Sequence, residues 1–81
     1  MENVRDTVIE ILKKYTLSED VWENFKDNSN IIKDLKINSA RIVDIIIDLE
    51  EKYDIEIEDD EIEKIQIFSD IIKMTKEKIN K

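Results

Sequence analysis

Ser39 is the side chain best placed to carry chemistry, because its hydroxyl lies at the predicted start of a strongly patterned helix. A serine that acts as a nucleophile needs a neighbouring base, and the chain contains no histidine. It also contains no cysteine, which excludes disulfides and thiolate metal ligands. We therefore predict no catalytic residue and no metal site, and we interpret Ser39 as a point of attachment.

The predicted helix after Ser39 carries an acidic face that includes one large apolar residue. At about 100° per residue, the side opposite the predicted core bears Ala40, Asp44, Ile47, Asp48 and Glu51, and Arg41 interrupts its acidity. An apolar residue ringed by charge is typical of a small interface. We predict that a partner recognises this face; the alternative is an ordinary solvated helix face.

The charge balance limits the classes of partner. Twenty-one acidic and thirteen basic residues give a net charge of −8, which repels nucleic acids and anionic membranes and attracts basic protein surfaces. No run approaches the ~20 apolar residues of a membrane span, and the charged beginning is unlike a signal peptide. We expect a cytoplasmic monomer that binds neither nucleic acid nor membranes.

Hydrophobic periodicity predicts an all-α fold in a single domain that spans residues 1–81. The absence of glycine and proline also disfavours folds that depend on tight hairpin turns. Helices are predicted at about 2–15, from Asn38 or Ser39 to Tyr53, at 59–65 and at 68–80. The result is a small four-helix bundle with a long loop between helices 1 and 2 and a short third helix.

The same periodicity predicts which residues face the core. The helical ones are Val4, Val8, Ile11, Leu12, Tyr15, Ile42, Ile45, Ile46, Leu49, Tyr53, Phe68, Ile71, Ile72, Thr75 and Ile79. In the long connection the expected anchors are Leu17, Val21, Trp22, Phe25, Ile31, Ile32, Leu35 and Ile37. The alternating segment 54–58 is interpreted as a loop, since a lone strand there would have no partner.

Two stretches together carry a family resemblance. The first is Asp34-Leu35-Lys36-Ile37-Asn38-Ser39-Ala40, and the second runs from Leu49 to Glu58 as LEEKYDIEIE. From residue 28 to about 75 the chain resembles the acyl carrier proteins, whose signatures are Asp-Leu-Gly-x-Asp-Ser-Leu and Leu-Glu-Glu-x-Phe-x-Ile-x-Ile-Pro. Among the departures from these signatures are Lys36 for glycine, Asn38 for aspartate, Ala40 for leucine and Glu58 for proline.

The resemblance implies a role for Ser39. In that family the serine accepts a 4′-phosphopantetheine arm from coenzyme A, and the thiol of the arm holds acyl groups as thioesters. This chain would then be a carrier and not an enzyme, with a phosphopantetheinyl transferase and fatty-acid or polyketide-type enzymes bearing basic patches as partners. With Asn38 as the N-cap, the phosphodiester would lie near unpaired backbone N–H groups at the positive end of the helix dipole.

The resemblance also suggests an acyl pocket between the helices. Its residues would be Val43, Ile46, Ile57, Ile62, Ile65 and Ile71, and the alternative is a filled core. The bulk of Ile62 indicates a small or closed pocket, and hence short or polar cargo.

Other functions stay open at this point. One is a specialised aminoacyl or peptidyl carrier; another is a carrier-like interaction module that is never modified, in which Ser39 is only a helix cap. A calcium-binding loop that starts at Asp54 is excluded, because Asp59 would replace its glycine and Ile65 its glutamate.

Overall fold

The computed structural model describes residues 3–80, which form four α-helices. They are α1 (Val4–Lys13), α2 (Ile42–Tyr53), α3 (Asp59–Glu63) and α4 (Phe68–Ile79), with short 3-10 turns at Glu19–Trp22 and Ser39–Arg41. Among the described residues there is no strand, only an isolated bridge between Asn30 and Ile67. The all-α prediction, with its long connection and short third helix, is confirmed.

The helix ends differ from the predicted bounds by a few residues. The predicted start of the first helix at residue 2 lies outside the described residues, and α1 ends at Lys13 rather than at residue 15. The second helix opens as a 3-10 turn before α2 proper begins at Ile42. Asp54 ends α2 in the left-handed conformation with φ 54°, which aspartate tolerates better than most residues.

The core lies between the helices, where α1 packs against both α2 and α4. Its buried apolar residues are Val8, Ile11, Leu12, Ile31, Leu35, Ile37, Ile45, Ile46, Leu49, Ile57, Phe68, Ile71 and Met74. The segment 54–58 is a loop, as predicted: the Ile57 N–H donates to the Glu50 carboxylate at 3.0 Å and the Ile57 side chain is buried.

Three predicted core residues are instead exposed. Leu17 is 91% exposed, Ile32 48% and Ile79 39%. Leu17 follows the end of α1 and precedes Ser18, whose hydroxyl accepts the Asp20 N–H and starts the next turn. The prediction that Leu17 anchors the connection depends on its apolar type alone, because a residue between two elements has no helical repeat to place it, and this prediction is wrong.

The connection between α1 and α2 is packed by its own side chains. Ile31, Leu35 and Ile37 are almost fully buried, and the ring of Phe25 meets that of Phe68 edge to face at 4.7 Å. Its backbone is also tied to the link between α3 and α4. The Ile31 N–H donates to the Gln66 carbonyl at 3.0 Å, and the Phe68 N–H donates to the Ser29 carbonyl at 2.9 Å.

A side-chain-capped turn fixes the end of this connection. The Asn30 side-chain oxygen accepts the N–H groups of Ile32 and Lys33 at 3.0 and 2.8 Å. The Asp34 carboxylate accepts the Asn30 N–H at 2.7 Å. This turn directs the chain towards Ser39 without a helix of its own.

Lys36 has a backbone φ of 58°, in the left-handed region that favours glycine. For a residue with a Cβ this conformation costs about 1–2 kcal/mol. In the acyl carrier signature that this segment resembles, the corresponding residue is glycine. Glycine is the residue that adopts a positive φ without steric cost.

We predict that Lys36→Gly raises the free energy of unfolding by about 1 kcal/mol, because glycine adopts this φ without steric cost. Lys33→Gly is the matched control: Lys33 has no positive φ, so glycine there should leave stability unchanged or reduce it. Urea unfolding followed by circular dichroism measures both. An equal loss of stability in the two variants would contradict the assignment of strain to position 36.

Candidate functional site

Ser39 is the first residue of the turn that leads into α2. Asn38 precedes it in an extended conformation, and its side-chain oxygen accepts the Ala40 N–H at 2.9 Å, which confirms the predicted N-cap. The Ser39 side chain is exposed, and within residues 3–80 its hydroxyl has no hydrogen-bond partner. The capping function is therefore performed by Asn38, and the Ser39 oxygen is available to another molecule.

The backbone amides after Ser39 are less available than the sequence suggested. The Ala40 N–H is taken by the Asn38 side chain, and the Arg41 N–H donates to the Asn38 carbonyl at 2.8 Å. The expectation of unpaired amides at these two positions is wrong, because the cap itself satisfies them. What the helix start still offers an anion is the positive end of the dipole.

Ser39 also lies at the edge of an apolar cavity of about 310 Å³. The cavity is bounded by α2, α3 and the connection, and its lining residues are Asn30, Ile31, Ile32, Ser39, Ile42, Val43, Ile62, Ile65 and Gln66. Ligand pockets usually have about 300–1,000 Å³, so this one is at the small end of the range.

The predicted pocket residues divide into two groups. Val43, Ile62 and Ile65 line the cavity beside Ser39. The other three, Ile46, Ile57 and Ile71, are buried in the core. The six predicted residues therefore do not come together in one pocket: three line this cavity, and three are part of the core.

Sequence reasoning did not select Asn30, Ile42 or Gln66 for the cavity. Ile42 follows Ser39 by one helical turn, a spacing from which its position could have been found. Asn30 and Gln66 come together through the backbone contact between the connection and the α3–α4 link. No local sequence pattern predicts this contact between distant segments of the chain.

The predicted recognition face is largely where the sequence placed it. Ile47 is 43% exposed, and Val43, one turn earlier, is 55% exposed. Ala40 and Glu51 are exposed beside them. Arg41 donates to Asp44 at 3.1 Å in an exposed pair, so part of the local charge is already compensated. We call this surface the α2 face; it consists of the apolar residues Val43 and Ile47 and of the residues around them, Ala40, Arg41, Asp44 and Glu51.

Asp48 is the exception on this face, because it is bound by the two residues that directly follow α1. The Tyr15 hydroxyl donates to its carboxylate at 2.7 Å, and the Lys14 ammonium lies 2.9 Å away. The hydrogen bond to Asp48, with burial and the charge of Asp48, raises the pKa of Tyr15 to about 12. The hydrogen bonds from Tyr15 and Lys14 lower the pKa of Asp48. Asp48 thus joins two helices rather than standing free for a partner.

We predict that Tyr15→Phe lowers the free energy of unfolding by about 1–2 kcal/mol near neutral pH, because the ionised Asp48 loses its donor. Since the folded state depresses the pKa of Asp48, this stabilisation is present above the unfolded value of about 4 and is lost as the pH falls below it. For Tyr15 the pKa is raised, so its contribution is present below about pH 10 and is lost as the pH rises towards 12.

The matched control is Tyr53→Phe. The Tyr53 hydroxyl is buried and has no hydrogen-bond partner among the described residues, so its removal should cost nothing or stabilise slightly. Urea titrations of the wild type and both variants, near neutral pH and below about pH 3, measure the effect. A Tyr15→Phe penalty that is the same at both pH values would contradict the role of the Asp48 charge.

Comparison of the sequence with protein-family models and with curated proteins identifies no relative of this chain. No protein-family model matches the chain, and no curated protein matches it significantly. No helix within residues 3–80 is both long and apolar enough to span a bilayer. The case for a function therefore depends on the residues and geometry of the Ser39 site.

Proposed function

We propose that this chain is an acyl-carrier-type protein that bears a 4′-phosphopantetheine arm on Ser39 and presents acyl thioesters to biosynthetic enzymes. In this proposal it is a cytoplasmic monomer without catalytic activity of its own. The observation that carries the proposal is the Ser39 hydroxyl, which is exposed, has no partner within residues 3–80 and borders an apolar cavity.

Two further observations support the same proposal. Lys36 has the positive φ that explains a glycine at that place in the acyl carrier signature. Asn38 caps the helix start, so the Ser39 hydroxyl is not needed as an N-cap acceptor, which is the role that serine often has at a helix start. A serine whose function was only to cap would accept a backbone N–H, and Ser39 accepts none within residues 3–80.

The proposed modification is a phosphoryl transfer that another enzyme performs. The Ser39 oxygen attacks the pantetheine-bearing phosphorus of coenzyme A, an ester bond forms to Ser39, and the diphosphate bond breaks. Adenosine 3′,5′-bisphosphate leaves, and the serine proton passes to a base of the transferase. This chain supplies the accessible oxygen at the positive end of a helix, and the arm supplies the thiol that the chain, which has no cysteine, lacks.

The cavity beside Ser39 gives this carrier a place for cargo. Its apolar walls, Val43, Ile62 and Ile65, suit the hydrocarbon part of an acyl group. Its volume of about 310 Å³ favours a short chain over a long one. Of the α2 face only Val43 lines the cavity, so an acyl group shielded there would leave the rest of that face free for the enzyme that receives it.

We predict that incubation with coenzyme A, magnesium and a broad-specificity phosphopantetheinyl transferase adds one phosphopantetheine, detected in the intact mass. Ser39→Ala should abolish the gain, because the attacking oxygen is removed. Ser18→Ala is the matched control, since Ser18 is another exposed serine at the start of a 3-10 turn, and it should be modified like the wild type. An unmodified wild type with several transferases would favour the interaction module instead.

We also predict that Glu51→Lys slows the transfer about fivefold or more at low salt, because a basic partner loses an exposed carboxylate of the α2 face. Glu23→Lys changes the same charge on an exposed residue of the connection and should have little effect. Initial rates by mass spectrometry at low and high salt compare the two. Equal rates in both variants would remove the α2 face from transferase recognition.

A further inference from the structure

A second groove, of about 390 Å³, lies between the end of α1 and the start of α2. Its lining residues are Tyr15, Leu17, Ile32, Lys36, Ile37, Asn38 and Arg41. Ser39 does not line it. Of the recognition residues predicted from the sequence, Arg41 alone is among its lining residues. We call it the loop groove.

The charge of the loop groove is opposite to that of the whole chain. The chain has 21 acidic residues against 13 basic ones, yet the groove is lined by two cations, Lys36 and Arg41, and by no carboxylate. Lys36 is exposed and has no salt-bridge partner within residues 3–80. Arg41 shares one guanidinium nitrogen with Asp44, which leaves further N–H donors for another carboxylate.

Two apolar residues of the loop groove, Leu17 and Ile32, are exposed, whereas Ile37 is buried. Leu17 is 91% exposed and Ile32 48%, and both belong to a connection whose backbone is anchored by hydrogen bonds. Burying a leucine stabilises a protein, and residues 3–80 leave this gain at Leu17 unused. Exposed apolar residues beside a cation without an ion pair, Lys36, and a second cation with spare N–H donors, Arg41, form a surface suited to an acidic, partly apolar ligand.

We infer that the loop groove is a docking site for an acidic amphipathic segment of a partner protein. Its apolar side chains would contact Leu17 and Ile32, and its carboxylates would pair with Lys36 and Arg41. The α2 face and the loop groove then select partners of opposite charge. This inference does not rest on the modification of Ser39, because none of its contacts involves that residue.

A second copy of this chain is the less favoured occupant. Its acidic α2 face would complement the loop groove, but the two surfaces differ, so the contact would be head to tail and would not close a dimer. Two copies with a net charge of −8 each also repel one another. An acidic segment on an otherwise neutral or basic partner meets neither obstacle.

The test is a titration of the full-length, 15N-labelled protein with a synthetic 16-residue helical peptide that has leucine on one face and glutamate on the other. We expect binding with a Kd of about 100 µM, and amide shifts confined to residues 15–17, 32 and 36–41. The same peptide with every glutamate replaced by lysine should leave the amides of residues 15–17, 32 and 36–38 unshifted, and shifts between residues 40 and 51 would report binding to the acidic α2 face instead. A spectrum of the protein alone, at low and high concentration, reports on self-association.

Matched variants separate the charge from the apolar contribution. Lys36→Glu and Leu17→Ser should each weaken binding of the acidic peptide about tenfold. Lys76→Glu and Ile79→Ser make the same changes at exposed positions on α4 and should leave the affinity unchanged.

Each other outcome overturns the inference. Absence of binding at about 1 mM peptide removes the docking site. Shifts that map elsewhere, or equal losses in the groove and α4 variants, remove its assignment to these residues. Concentration-dependent shifts of the same amides in the protein alone would assign the groove to a second copy. The modification of Ser39 is measured separately by intact mass, so either proposal can fail without the other.

Discussion

The burial of Ile31, Leu35 and Ile37 is the constraint on which the rest of this structure depends. These side chains belong to a connection without a regular helix, yet each is at most 1% exposed. Each fully buried side chain contributes about 1.5–3 kcal/mol, which offsets part of the entropy lost when a long loop is ordered. Because the connection is fixed in this way, it can bring Asn38 and Ser39 to the start of α2 and close one side of the cavity.

With the connection fixed, neighbouring residues have separate structural roles. Asn38 satisfies the helix start, so the Ser39 hydroxyl stays free, and the cavity beside Ser39 is closed by the contact of the connection with the α3–α4 link. Asp48 draws α1 and α2 together and is held away from partners. The acidic α2 face and the basic loop groove meet at Arg41, close in sequence to Ser39, and their opposite charges favour different partners.

The sequence predicts the helical part of the fold well, because amphipathic helices of ten residues or more repeat their apolar positions locally. It also predicts the Asn38 cap and the exposure of Ile47, which follow from residue type and helix geometry alone. It misplaces Leu17, since a residue between elements has no repeat. It misses the tie between Tyr15 and Asp48, which joins two elements that are distant in sequence. Such contacts depend on how the helices pack, and local patterns do not encode that.

The most direct test of the central claim is tandem mass spectrometry of the protein isolated from the cells that make it, after proteolysis into peptides. If the account is correct, the peptide that contains Ser39 carries phosphopantetheine and releases the pantetheine fragment on collision, and no other serine is modified. Its acyl groups, where retained, should be short, in keeping with a cavity of about 310 Å³. A Ser39 peptide that is unmodified in every sample would contradict the carrier function and leave a helical protein whose exposed surfaces bind other proteins.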